Sequence, residues 1–308
     1  MNETVITTNL VGFDYIFDPS PDNYKFEMIF RPLRRTPLKF LDECVETARM
    51  MAASTTKPIM VAFSGGIDSE VVCRSFLLAG ADFTAVSFRY VSDGKVENGH
   101  DLHYAKKFCK QHNVKHLILD IDMKKFFVSG CDKYIEQGYC TPRPFRYLMM
   151  HYIETIDRLG GTAVLCLGEQ VYTRVEGVLS HVHHAGYVNT LEWCRKNNRH
   201  HFTHFFLATP EIIGAYLQNE LIQFLLAKDK YFGNFNDVAA PEKILVYHSE
   251  FSGMETRLKF HGFENLISER SEALARLQQK FSHMHDFVLH IDKMKNQLNI
   301  EQYLQTTS

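Results

Sequence analysis

The segment KPIMVAFS, residues 57–64, is short and almost entirely apolar, and it constrains the fold of this chain more than any other feature. A strand with one face in water alternates apolar and polar residues, whereas a strand of a parallel sheet covered on both faces is apolar throughout. The run SEVVCRSFLLAG follows closely, has helical spacing and ends at Gly80. The pair predicts a buried central strand followed at once by a helix.

The same alternation continues along the middle of the chain. Further strands are predicted over 82–90, 115–122, 162–169 and 202–210, and helices over 99–112, 123–137 and 144–159. Strands that alternate with helices indicate an α/β fold, and right-handed crossovers favour helices on both faces of the sheet. We therefore predict a doubly wound, mainly parallel five-stranded sheet of the Rossmann-like type.

The two ends of the chain have different patterns. Residues 1–36 contain two segments rich in β-formers around the turn-rich DPSPDN, which predicts a β-hairpin, and residues 37–53 have helical spacing. From Pro210 the chain is predicted to be mostly helical. The apolar stripe of the amphipathic stretch 268–298 packs either on the body or on a second copy in a homo-oligomer. The predicted division is 1–54 for the hairpin and first helix, 55–210 for the α/β domain and 211–308 for the helical region.

Composition limits the partners and the compartment. The net charge is −2, which gives no overall attraction for nucleic acid or an anionic membrane. No apolar run reaches the roughly 18 residues of a spanning helix, and the N-terminus lacks the pattern of a secretory signal. Seven cysteines occur without any C-x-x-C spacing. This pattern favours reduced thiols in a cytoplasmic protein without a membrane partner.

The loop SGGIDS, residues 64–69, lies where an α/β sheet binds its ligands, between the end of a strand and the start of a helix. Gly65 and Gly66 allow a tight turn and a close approach of the backbone to an anion. The N–H groups of the helix N-terminus favour negative charge, and Ser64 and Ser69 add hydroxyl donors. The loop therefore predicts a phosphate site. The alternative is a turn that only caps the helix through Asp68 or Ser64.

Asp68 is the unexpected member of this loop. A carboxylate beside phosphates is repulsive unless a cation lies between them, and Mg²⁺ takes carboxylate and phosphate oxygens together. The loop is not a G-x-x-x-x-G-K-[ST] phosphate loop, because no Lys follows it. Asp68 therefore predicts a Mg²⁺ ligand in an ATP site.

S-G-G-x-D-S after the first strand resembles the PP-loop, or N-type, ATP pyrophosphatase superfamily, whose sheet is of the HUP, adenine nucleotide α-hydrolase-like type. The resemblance covers roughly residues 57–210. It implies that ATP is cut between its α- and β-phosphates, that an adenylated substrate and Mg-pyrophosphate form, and that a nucleophile then displaces AMP. The residues implied to hold the pyrophosphate are Ser64, Gly65, Gly66, Asp68 and Ser69. The backbone near Ala62, Phe63, Ser87 and Phe88 is implied to meet the adenine.

A second block strengthens this resemblance. CTPRPFR at 140–146, then a helix, then LCLGE at 165–169, resembles the pattern of thiolation-type members. Arg143 and Arg146 are the best candidate cations for the α-phosphate or an anionic substrate group. Gly168 ends the strand at the implied nucleotide site.

Further candidates lie in and after that block. Glu169, Arg174 and Glu176 are candidates for metal, substrate or proton-transfer roles, with solvated loop charges as the alternative. Tyr172 and Thr173 stand where relatives often have paired acids, so the substrate is left open. Late in the chain, Lys259 or Arg257 is a candidate cation over the phosphates, with a surface pair as the alternative.

Two other clusters are weaker. The histidines at 181–204 include the run H-V-H-H, which has no helical H-x-x-x-H face and falls in a segment that looks like a loop, so a polar insertion facing the substrate is favoured over a zinc site. EWCRKNNRHH at 192–201 is locally basic. RNA phosphate is an alternative partner there, but the net charge does not support it and a solvated face is favoured.

These features favour an enzyme that adenylates an acceptor and transfers it to a nucleophile. Asn2 replaces the Cys of an asparagine-synthetase-type glutaminase, and no Cys follows Cys194, unlike the late four-Cys zinc site normal in 7-cyano-7-deazaguanine synthases. Thiols for sulfur transfer are Cys140 and Cys131, without C-x-x-C spacing. Amidation or ligation is therefore favoured over tRNA-thiolation-like transfer. Two further classes are less favoured: a sulfonucleotide reductase, which would need a Cys near the C-terminus, and an ATP- or AMP-binding module without turnover.

Overall fold

The computed structural model describes residues 4–167, 172–175, 178–183, 185–227, 241–255, 257, 262, 266–284 and 287–290. Its strands are β1 Phe13–Asp18, β2 Lys25–Phe30, β3 Ile59–Ala62, β4 Phe83–Ser92, β5 Lys95–Val96, β6 Lys115–Asp122, β7 Thr162–Val164, β8 Tyr172–Val175, β9 Val178–His183 and β10 Phe287–His290. Its α-helices are α1 Phe40–Ala53, α2 Ile67–Leu78, α3 Gly99–Gln111, α4 Met123–Lys125, α5 Asp132–Glu136, α6 Arg146–Arg158, α7 Ala185–Lys196, α8 Pro210–Gln218, α9 Glu220–Ala227, α10 Pro241–Glu250 and α11 Ile267–Lys280. A π-helical turn, Phe126–Gly130, joins α4 to α5.

The predicted N-terminal hairpin is confirmed. β1 and β2 pair antiparallel from Phe13 opposite Phe30 to Asp18 opposite Lys25. Its turn contains the Pro-Ser-Pro-Asp-Asn run, which cannot continue a strand. Alternate residues of both strands are buried, which fixes the register because a slip by one residue would expose them.

The central sheet is mainly parallel and has five strands. Its parallel strands lie in the order β6–β4–β3–β7, and β5 pairs antiparallel with the end of β4. The carboxyl ends of the parallel strands lie at one edge, as the sequence predicted for a ligand-binding sheet.

The sheet is covered on both faces, which confirms the doubly wound arrangement. Successive side chains of a strand point to opposite faces. Ile59 and Val61 of β3 enter a core with α1, α2, α3 and α8. Met60 enters a second core with α6 and the π-helical turn. This two-sided burial explains why residues 57–64 are apolar without alternation.

The prediction of a strand over 202–210 is wrong. Only Phe202 pairs there, in an isolated parallel bridge with Val164, and residues 205–207 form a 3₁₀ turn. Thr209 then caps α8 by accepting a hydrogen bond from the Ile212 N–H at 3.2 Å, with Pro210 in the first turn. The cap and the proline favour a helix start over an extended strand. The fifth strand of the sheet is the two-residue β5.

One expectation about the later chain is also corrected. The histidine-rich segment is not loop-like, because His181 to His183 lie in β9 and α7 follows. Within the C-terminal region, which was predicted to be mostly helical, 287–290, FVLH, forms β10 and pairs antiparallel with β9. α11 packs on the body, with Ala273 and Leu277 in the second core.

The hydrophobic core crosses the predicted domain limits. Phe40 of α1, Val61 of β3, Ile212 of α8 and Val246 of α10 belong to one cluster. The division at 54/55 and 210/211 stays a prediction. Across the described residues, no helix is long and apolar enough to span a membrane.

A buried carboxylate joins the N-terminal region to α8. Glu211 is fully buried, and its two oxygens accept hydrogen bonds from the Arg34 backbone N–H at 2.8 Å and from the Arg34 guanidinium at 2.9 Å. Burial raises the pKa of Glu211, but the hydrogen bonds from Arg34 outweigh this and hold the pKa below its ordinary value. At any pH above the ordinary pKa of a glutamate, the ionised Glu211 therefore stabilises the fold. This contribution to stability is lost as the pH falls through the lowered pKa of Glu211 in the folded protein.

We predict that Glu211→Gln lowers the free energy of unfolding by about 1–3 kcal/mol at pH 7, because the charged acceptor of Arg34 is lost. Urea unfolding from pH 7 to pH 3 measures this cost, which shrinks as wild-type Glu211 itself becomes protonated. Glu46→Gln is the control, because the Glu46–Arg49 pair is exposed and its loss costs under about 1 kcal/mol. A Glu211→Gln cost that stays constant over this pH range would show that charge plays no part.

Candidate functional site

The loop SGGIDS connects β3 to α2 at the carboxyl edge of the sheet. Gly66, which has no side chain, is the N-cap residue of α2. The Ser64 hydroxyl oxygen accepts from the Gly66 N–H at 3.1 Å, one residue before the helix. The N-cap residue is thus neither Asp68 nor Ser64, and a helix that starts at a glycine leaves room for an anion at its N-terminus.

Gly65 is required by packing. Its φ is +94°, in the region that favours glycine. A Cβ at this position would lie 2.0 Å from the Asp101 carbonyl oxygen in the first turn of α3. A Cβ on Gly66 would meet only the Ser64 hydroxyl oxygen, at 3.3 Å. The contact of Gly65 with α3 therefore fixes the loop, whereas Gly66 leaves the side of the loop near Ser64 less crowded.

The two serines hold the shape of the loop. The Ser69 hydroxyl donates to the Gly66 carbonyl oxygen at 2.9 Å, and the two serine hydroxyl oxygens lie 3.1 Å apart. Since Ser69 has used its only proton, Ser64 donates to Ser69. Ser64 is exposed and Ser69 is buried, so Ser64 is the hydroxyl at the solvent side of the loop.

Asp68 is half-buried in the first turn of α2, and its Oδ1 accepts a hydrogen bond from the Tyr247 hydroxyl at 2.9 Å. Tyr247 comes from α10, 179 residues later, and the sequence reasoning missed it because no local pattern links the two positions. A carboxylate beside an open helix N-terminus fits Mg²⁺, which binds proteins through one or two carboxylates and takes further oxygens from phosphates. The described residues gather no group of three or more His, Cys, Asp and Glu that would hold a metal.

The residues predicted near adenine lie at the ends of β3 and within β4. The Phe63 N–H donates to the Val86 carbonyl oxygen at 2.8 Å, and the Phe63 carbonyl oxygen accepts from the Ser87 hydroxyl at 2.6 Å. Phe63, Ser87 and Phe88 are buried, whereas Ala62 is half-buried. Any contact of these residues with adenine must therefore come from Ala62 or from the outer lone pair of a backbone carbonyl.

Arg143 and Arg146 lie at the same edge of the sheet as SGGIDS. α6 begins at Arg146 and leads into β7, so its start lies at the carboxyl ends of the strands. The Arg146 guanidinium lies 5.9 Å from the centre of the Tyr187 ring, at the start of α7. The contacts described for Arg146 are with this helix start and with Phe145, not with SGGIDS.

His204, one of the histidines in the cluster at 181–204, is buried. It follows the Phe202 bridge, its Nδ1 lies 2.7 Å from the Thr203 hydroxyl oxygen, and its Nε2 has no hydrogen-bond partner in the described part of the chain. Burial, and to a smaller extent the charge of Arg146, lower its pKa to about 3, so it is neutral at pH 7.

Of the two cations predicted late in the chain, Arg257 is described by the structure and Lys259 is not. Arg257 lies at the first turns of α2, where it pairs with the buried carboxylate of Glu70 and stacks 4.7 Å from the centre of the Tyr104 ring. The guanidinium of Arg257 is therefore already paired with a carboxylate of α2 itself. Lys259, Gly168, Glu169 and Glu176 lie outside the described residues, as does the side chain of Arg174.

Comparison with known proteins identifies the segment that contains the loop. The family model of the queuosine biosynthesis protein QueC matches residues 58–133. The 7-cyano-7-deazaguanine synthase of Pseudoalteromonas translucida (strain TAC 125) is 36% identical over 75 residues, which is 24% of this chain and 33% of the relative. The match thus spans about a third of the length of that relative.

Solved structures give weaker similarities. The NMN synthetase of Francisella tularensis has 16% identity and a TM-score of 0.30, covering 41% of this chain and 52% of that one. The NH3-dependent NAD synthetase of Campylobacter jejuni subsp. jejuni NCTC 11168 has 13% identity and a TM-score of 0.31, covering 71% and 97%. TM-scores this low carry no argument. The likeness to ATP-using PP-loop proteins therefore depends on the two sequence matches and on the SGGIDS loop.

We predict that Gly65→Ala is far more damaging than Gly80→Ala. Both glycines have positive φ, but a Cβ on Gly80 meets no atom within 4 Å, whereas one on Gly65 overlaps the backbone of α3. Gly80→Ala should lower the free energy of unfolding by about 1–2 kcal/mol from backbone strain alone. Gly65→Ala should cost at least twice as much, measured by urea unfolding. Equal costs for the two variants would contradict the close packing of the loop on α3.

Proposed function

We propose that this chain, which belongs to the PP-loop ATP pyrophosphatase superfamily, uses ATP to adenylate the carboxylate of an acceptor and then passes the activated group to ammonia or another amine. The observation that carries the proposal is the SGGIDS loop at the carboxyl edge of the sheet, with Gly66 as the N-cap residue of α2. This is the arrangement that attracts a phosphate group.

The chemistry follows from where negative charge develops. As the acceptor oxygen attacks the α-phosphorus, the bond to the β-phosphate breaks and pyrophosphate leaves with increased negative charge. N–H donors that already point at the leaving group stabilise that charge without reorganising. The first turn of α2 supplies them. Magnesium held by Asp68 would neutralise further phosphate charge.

The proposed reaction balances in two steps. The acceptor carboxylate and ATP give an acyl adenylate and pyrophosphate. Ammonia then attacks the acyl carbon, AMP leaves, and the nitrogen loses a proton to give an amide. Arg143 and Arg146 lie at the correct edge of the sheet to meet the α-phosphate, and this role is part of the proposal.

Transfer to an amine is favoured over transfer of sulfur. Sulfur chemistry needs a thiolate, and burial raises the pKa of Cys131 to about 12 and also raises that of Cys140. Both thiols that the sequence offered are therefore protonated at neutral pH. The matched relative is named for a nitrile product, which supports a nitrogen nucleophile. We include a 7-deazaguanine with a carboxyl group at position 7 among the acceptors to test.

The experiment incubates the protein with ATP labelled at the α-phosphate, Mg²⁺, ammonium and a panel of carboxylate acceptors. Labelled AMP and free pyrophosphate are expected with an accepted substrate. Labelled ADP, or binding without turnover, would contradict the proposal.

We predict that Asp68→Asn reduces pyrophosphate release by at least about 100-fold, because the side chain keeps its shape but loses the charge that serves the metal. Asp42→Asn is the matched control, since Asp42 is an exposed acid in the first turn of α1. Circular dichroism should show the same fold for both variants. Undiminished pyrophosphate release by Asp68→Asn would exclude the proposed role of Asp68.

A further inference from the structure

A segment late in the chain lies along the first turns of α2. We name residues 247–255 with Arg257 the C-terminal arm. Its carbonyls at Ser252 and Gly253 accept hydrogen bonds from the Arg74 guanidinium at 2.9 and 3.0 Å. Glu255 pairs with Lys107 of α3. The arm is thus attached to both helices that frame the SGGIDS loop.

A buried carboxylate holds the arm against α2. Glu70 accepts from Arg74 in its own helix and from Arg257 of the arm. The side chains of Glu70 and Arg257 are each only 5% exposed. A charge pair this well shielded is far less screened than a surface pair, so the two segments keep a defined separation.

At the other end of the arm, Tyr247 is held rigidly. The residue is 1% exposed, and its ring stacks nearly parallel to Phe40 and Phe206, with both pairs of ring centres 6.0 Å apart. Its hydroxyl therefore has a fixed position, and from there it donates to Asp68 Oδ1 at 2.9 Å.

This hydrogen bond matters because of where Asp68 lies. An aspartate in the first turn of a helix readily bends back to accept from the free N–H groups of that turn. In this structure Asp68 Oδ1 accepts a hydrogen bond from the arm, through the Tyr247 hydroxyl, and the N-cap residue itself is Gly66.

We propose that Tyr247 is a positioning residue for the phosphate and metal site: its hydroxyl holds the Asp68 carboxylate away from the N-terminus of α2 and in the orientation that binds a cation. Without the hydroxyl, the carboxylate loses a hydrogen bond that keeps it from turning back to cap α2, where it would compete with the phosphates. The inference rests on the proposed function, and it adds a residue of the C-terminal region to the site.

The test is Tyr247→Phe, which keeps the stacked ring and removes only the hydroxyl. Binding of Mn²⁺ is measured by electron paramagnetic resonance with a non-hydrolysable ATP analogue, together with the Mg²⁺ dependence of pyrophosphate release. Since residues that orient a metal ligand usually account for 10–100-fold in metal affinity or activity, we expect binding of the Mn²⁺ analogue complex to weaken by roughly 10-fold. The Mg²⁺ concentration for half-maximal activity should rise by a similar factor.

The control is Tyr15→Phe, which removes another tyrosine–carboxylate hydrogen bond, from the Tyr15 hydroxyl to Glu192 at 3.1 Å. This variant should bind Mn²⁺ and the analogue as the wild type does. In the Asp68→Asn background, Tyr247→Phe should cause little further loss, since the charged group that it positions is gone.

Tyr247→Phe binding within about twofold of wild type would overturn the inference, as would equal losses with and without Asp68→Asn. Thermal unfolding checks that each variant is folded. If the wild type binds the Mn²⁺ analogue complex but releases no pyrophosphate with any acceptor, the proposed function fails while the role of Tyr247 in cation binding is still decided by the binding data.

Discussion

The contact between Gly65 and the first turn of α3 determines the geometry of the rest of the site. Because the Asp101 carbonyl oxygen occupies the space that a Cβ would need, the loop has one course from β3 into α2. That course places Gly66 at the N-cap and closes a hydrogen-bond circuit through Ser64 and Ser69. The polar groups of the loop are thus hydrogen-bonded to one another, and α2 starts at a residue that has no side chain. An anion site results from packing, before any ligand is present.

The residues around α2 determine how the negative charges near its N-terminus are balanced. Its first turns carry two acids, Asp68 and Glu70, which would oppose a phosphate. Glu70 is neutralised by two arginines, one from α2 and one from the C-terminal arm. Asp68 also accepts a hydrogen bond from a neutral group, the Tyr247 hydroxyl. Glu70 thus joins the arm to α2, whereas Asp68 lies in the first turn, beside the N-cap residue Gly66.

The sequence predicted the parts of this protein that depend on local patterns. The hairpin, the buried β3 and the SGGIDS loop follow from turn residues, apolar runs and glycines, each of which acts over a few positions. The strand predicted over 202–210 was wrong because a local cap at Thr209 outweighed the β-propensity of the phenylalanines.

Other features could not be predicted, since they depend on residues far apart in the chain. Tyr247 meets Asp68 across 179 positions, and Arg257 meets Glu70 across 187. The sequence did suggest a late cation near the phosphates, but it could not show that Arg257 is bound to Glu70. It also offered a ligand-based reason for Gly65, to which the structure adds a packing reason that no local pattern reveals.

The central claim is that the loop holds the pyrophosphate part of ATP while an acceptor attacks the α-phosphorus. Exchange of labelled pyrophosphate into ATP tests it most directly, because the reverse of adenylation needs no amine and reports only that step. The account predicts exchange that requires both Mg²⁺ and an acceptor carboxylate and that is lost in Asp68→Asn. Exchange of labelled phosphate into ATP, with no exchange of pyrophosphate under any acceptor, would contradict it.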